Sequence, residues 1–128
     1  RIEEARRVRK QLGGGMRQAG VLAAAGLLAL ETMIPRLAED HANARLLGEA
    51  LARCPGVRVR PVETNIVVAA IEKRSAPELV SALASQGVLA SAMDQSTLRL
   101  VTHKDVSRTD CERAAEIFGE DPGAPPWN

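Results

Sequence analysis

The feature that most restricts the fold is a change of hydrophobic period at Pro55-Gly56. Before that dipeptide apolar residues recur every three or four positions, and after it they alternate. A helix buries one stripe and a strand one face, so a chain with both periods pairs helices with a sheet. Upstream, the spacing predicts a helix over roughly Pro35 to Arg53 with Leu37, His41, Ala44, Leu47 and Leu51 on its inner face. Downstream, Val57 and Val59 alternate with Arg58 and Arg60, a half-exposed strand, and "NIVVAAI" (65–71) reads as a more buried one. "SAPE" (75–78) is a capping box opening a helix to about Gln86, which Gly87 closes. "VLAS" (88–91) and "TLRLVT" (97–102) read as two further strands, and Ser107 with Asp110 starts a last helix to about Phe118.

That order predicts an α+β fold, with one sheet of three or four strands, helices on one face, and long connecting helices before it. Residues 35–119 would form this small domain, and 1–34 a Gly-rich turn with connecting helices. The Pro- and Gly-rich "EDPGAPPWN" (120–128) reads as a loose tail.

The first segment raises a different question. "RIEEARRVRK" carries five basic and two acidic side chains and opens inside a helix-like pattern, as a piece of a longer chain would. "QAGVLAAAGLLALETM" (18–33) is apolar on nearly every side, which predicts a helix buried all round. Its longest apolar run, Ala19 to Leu30, is shorter than the ~20 residues a bilayer requires.

Composition excludes several functions. Aromatic residues are only 2% of the chain, so the core rests on Leu, Val, Ile and Ala, and no stacking platform for single-stranded nucleic acid is available. A net charge of +1 leaves no broad electrostatic footprint. Two cysteines without a CxxC make neither a disulfide scaffold nor a thiolate zinc site, and suit a reducing compartment.

Three clusters could carry chemistry. Gly13–Gly15, flanked by Lys10 and Arg17, is either a turn aiming backbone N–H groups at an anion or a plain hinge between helices. It has neither the Walker spacing nor a dinucleotide fingerprint. Arg99 alternates onto the face of Val101, away from Leu98 and Leu100. It could fork onto a carboxylate, although spacing alone favours an ordinary surface arginine. His103, Lys104 and Asp105 follow without a nucleophile in suitable context, which favours a loop-tying His103 over a catalytic one. His41 reads as a hydrogen-bonded structural histidine, and two distant histidines make no metal site.

Taken together, "RKQLGGGMRQAGVLAAAGLLAL", "RLAEDHANA", "TN" and "LRLVTHKDVS" resemble the C-terminal part of low-specificity L-threonine aldolases, from Arg1 to about Glu120. These are pyridoxal-phosphate enzymes of the aspartate aminotransferase fold type. The resemblance implies the small C-terminal domain of such a lyase, which cleaves threonine or allo-threonine to glycine and acetaldehyde. It implies that Arg99 holds the substrate carboxylate, that Lys10 and Arg17 lie near the cofactor, and that the parent is a cytoplasmic homotetramer. None of Lys10, Lys73 and Lys104 matches the lysine that carries the cofactor, which the resemblance places upstream, so this chain is expected to be inactive alone. The alternatives are a non-catalytic module binding an anion or a partner, and another pyridoxal-phosphate enzyme such as a β-eliminating lyase.

Overall fold

The alternation after Gly56 becomes a four-stranded antiparallel sheet built from β1 (Val57–Val59), β2 (Ile66–Ile71), β3 (Ser91–Ala92) and β4 (Thr97–Val101). Its order is β1-β2-β4-β3. The computed structural model describes residues 1–119, so the tail expected over 120–128 lies outside the described residues. Five α-helices accompany the sheet among those residues: α1 (Ile2–Gln11), α2 (Gly20–Leu28), α3 (Leu37–Ala52), α4 (Ala76–Ser85) and α5 (Arg108–Gly119). They divide into one unit from Arg1 to Pro35 and a second from Arg36 onward.

In the second unit the register separates two faces. Val67 pairs with Leu100 and Ala69 with Leu98 on the inner face, while Ile66 pairs with Val101 and Val68 with Arg99 on the outer one. Val67, Ala69, Leu98 and Leu100 are buried together with Leu47 and Leu51 of α3, Leu79 and Leu83 of α4, and Phe118 of α5. α3 packs on β1 and β2, α4 on β3 and β4, and α5 against α3. The helices therefore cover one face, as the pattern predicts.

Close approach explains one residue in α3. A Cβ on Gly48 would lie 2.8 Å from Cγ2 of Val62, so only glycine lets the chain after β1 rest on the helix. Leu37, expected inside, is exposed, and the buried face includes Asp40 and Asn43 instead. His41 is half-buried and makes no hydrogen bond among the described residues, so it lacks the expected tie.

Strand β3 is shorter and later than "VLAS" predicts. The reason is the end of α4, where Gly87 (φ +85°) and Val88 donate their N–H groups to Ala84 and Leu83 at 3.0 and 2.9 Å. This is a Schellman cap, and it uses the Val88 amide before a strand can. Pairing begins only where Ser91 faces Arg99 and Ala92 faces Leu98. At the other end of α4, the Ser75 hydroxyl accepts from the Glu78 amide as the capping box requires.

In the first unit α2 widens into a π-helical turn over Ala29–Met33, where the Thr32 hydroxyl donates to the Leu28 carbonyl at 2.7 Å. The burial expected for this apolar helix is absent. No residue of α2 is buried, and Val21 and Leu22 are 74% and 63% exposed. Its pattern is that of a covered helix, and the Arg1–Pro35 unit does not cover it.

Candidate functional site

Arg99 projects from the middle of the outer sheet face, with Val68 opposite it on β2 and Ser91 opposite it on β3. Alternation places Thr97 and Val101 on the same face. Its side chain is exposed, and the guanidinium makes no hydrogen bond or ion pair among the described residues. Arg58, on the same face at the other edge, instead bonds Glu72 at 2.7 Å. Backbone contacts hold the strand beneath Arg99, and the Ser91 hydroxyl donates to its carbonyl at 3.4 Å. The result is an unpaired planar cation rising from small and apolar neighbours, an arrangement that suits a bidentate carboxylate.

The residues after β4 form a turn. The Asp105 amide donates to Nδ1 of His103 at 3.3 Å, and the Val106 amide to the His103 carbonyl at 2.9 Å. Lys104 lies 3.4 Å from the Asp105 carboxylate. His103 thus ties the loop, as its sequence context favours. With Leu47, Leu100, Val106 and Cys111 it lines a cavity of about 490 Å³. Burial pushes the Cys111 thiol up from its ordinary value, the opposite of what activates a nucleophile. Burial likewise raises Cys54, whose thiol donates to the Phe118 carbonyl. Among the described residues no group of three His, Cys, Asp or Glu side chains could hold a metal ion.

The glycine turn resolves in favour of a helix cap. Gly13 (φ +79°) and Gly14 donate to the carbonyls of Lys10 and Arg9 at 3.1 and 2.8 Å, the same Schellman pattern that ends α4. Both amides are therefore spent on α1. A Cβ on Gly14 would meet Cγ of Arg9 at 2.7 Å, so that glycine makes room for the helix's own side chain. Lys10, in the last turn of α1, and Arg17, beyond the cap, are exposed members of the first unit, and Arg99 belongs to the second.

The profile of the family described as Beta-eliminating lyase matches residues 1–74. This chain belongs to that family. It is 41% identical over 122 residues to the low-specificity L-threonine aldolase 1 of Arabidopsis thaliana, covering 91% of this chain and 34% of that protein. It is 43% identical over 116 residues to the low specificity L-threonine aldolase of Escherichia coli K12, covering 91% of this chain and 33% of that protein. The chain thus spans about a third of the length of these relatives. Among solved structures it shares its fold with MppP, in crystals soaked with the product 2-ketoarginine, at a TM-score of 0.55 and 17% identity. That match covers 69% of this chain and 28% of MppP.

The cofactor of this family is pyridoxal phosphate. Among the described residues, neither unit by itself assembles a complete holder for it. The turn amides close a helix, Lys104 faces Asp105, and the stem of Lys73 packs beside Gly56, 3.2 Å from where a Cβ would stand. Among the described residues no buried side-chain oxygen or nitrogen lacks a partner.

Sequence reasoning missed the polar groups that fasten β4. Asp40 and Thr102 are buried, and Asn65 bonds Thr102. Arg36 and Asp40 stand at i,i+4 spacing, a signal available in the sequence.

Proposed function

We propose that this chain is the C-terminal part of a threonine-aldolase-like lyase, and that Arg99 grips the carboxylate of its amino-acid substrate. The observation that carries the reading is the unpaired Arg99 guanidinium on the outer sheet face. Identity of 41% and 43% to threonine aldolases supports the reaction class. The substrates of the whole enzyme would be L-threonine or L-allo-threonine, and the products glycine and acetaldehyde. The lysine that carries the cofactor would lie upstream of Arg1, with Lys10 and Arg17 adding positive charge beside the anionic cofactor. In a cytoplasmic homotetramer, the share of this chain is to bind and orient substrate.

The test is Arg99→Ala in the complete parent enzyme. Losing a charge-assisted contact to the carboxylate costs ~1.5–3 kcal/mol, so the threonine KM should rise roughly ten- to a hundredfold with cofactor content unchanged. An unchanged KM removes Arg99 from the site.

The bare apolar surface of α2 favours a second reading, a non-catalytic module that docks a partner through Val21, Leu22 and Leu27. Threonine cleavage by the complete parent excludes it. Substrate profiling of that parent separates an aldolase from another pyridoxal-phosphate lyase.

A further inference from the structure

The carboxylate of Asp40 has no part in the reading above, yet it is only 4% exposed and stands at the centre of a polar clamp. Both terminal nitrogens of Arg36 donate to it, at 3.1 and 3.0 Å. Its backbone carbonyl, in the first turn of α3, accepts the Thr102 hydroxyl at 2.7 Å. Thr102 is fully buried and directly follows β4. Its N–H donates to the Asn65 carbonyl at 2.9 Å, and its own carbonyl accepts from Nδ2 of Asn65 at 2.7 Å. Asn65 directly precedes β2. One residue is therefore tied to α3 through its hydroxyl and to the start of β2 through both backbone groups.

Thr102 lies three residues beyond Arg99, and Leu100 between them is buried on the inner face. Anchors at Leu98, Leu100 and Thr102 stop β4 from rolling or sliding, and a slip of one residue would turn Arg99 into the core. Filling the space of Thr102 needs no hydroxyl, since valine has nearly the same shape. The hydroxyl does something else: it bonds the strand end to a helix whose first turn is itself braced by the Arg36–Asp40 pair.

The geometry points to Thr102 and Asn65 as positioning residues for Arg99, holding its guanidinium at the pitch at which it meets the substrate carboxylate. This rests on the role given to Arg99 above. The test uses the complete parent enzyme and a double-mutant cycle. Thr102→Val should raise the threonine KM about three- to tenfold with kcat and cofactor content unchanged, and Thr102→Ser should restore it. In an Arg99→Ala background, Thr102→Val should add nothing further. Asn65→Ala, at a half-buried position, should behave as Thr102→Val does and serves if the valine variant does not fold. If Arg99→Ala raises KM but the clamp variants leave it unchanged, or add the same increment with and without Arg99, the positioning role is overturned and the carboxylate reading stands. If Arg99→Ala leaves KM unchanged, the carboxylate reading falls and the positioning role with it.

Discussion

α2 and α3 are both rich in Ala and Leu, yet α2 buries none of its residues and α3 buries seven. Their composition does not explain this contrast. α3 has a sheet face and α5 to lie against, whereas the Arg1–Pro35 unit provides no second layer for α2. An apolar stripe is a demand for a partner, and the partner must come from some other stretch of chain.

The largest effect that sharpens this contrast belongs to the covered helix. Leu51 is fully buried, and Leu51→Ala should destabilise the chain by about 2–5 kcal/mol in denaturant unfolding. A loss below 1 kcal/mol would mean that the second unit lacks a tight core.

A pH effect comes next. The Ser107 hydroxyl and amide hold the Asp110 carboxyl below its ordinary range at the start of α5. A carboxyl whose pKa is lower folded than unfolded adds stability above the ordinary carboxylate range and loses it as pH falls through the folded value. Acid should therefore erode the stability of the second unit, and Ser107→Ala should flatten that part of the profile. An identical acid limb in the variant would show that the cap does not couple to folding.

The smallest effect belongs to the bare helix. Leu22→Ala should change stability by less than about 0.5 kcal/mol, because little area leaves contact. A loss as large as that of Leu51→Ala would show that α2 is covered in solution and would collapse the comparison.

The sheet order could not be read from the residues, but its faces could: alternation places Arg99 outward and Leu98 and Leu100 inward, as the structure has them. Caps were legible where a single side chain makes them, at Ser75 and Ser107. What escaped depends on contacts distant in sequence. Val88 reads as a strand residue, but the end of α4 claims its amide. Gly48 is explained only by Val62, and Thr102 only by Asp40 and Asn65. The glycine run read as an anion turn or a hinge, and its part as a helix cap escaped because helix ends and anion sites use the same backbone groups.

Under the proposed function, this chain brings a carboxylate grip but no lysine that carries the cofactor. The most direct test supplies the purified chain with pyridoxal phosphate, reduces with borohydride, maps the labelled peptides, and assays acetaldehyde release from threonine in parallel. The expected result is no acetaldehyde and only sparse, scattered labelling of Lys10, Lys73 and Lys104. A single stoichiometric adduct on Lys10 together with acetaldehyde release would contradict it and make this chain an enzyme by itself.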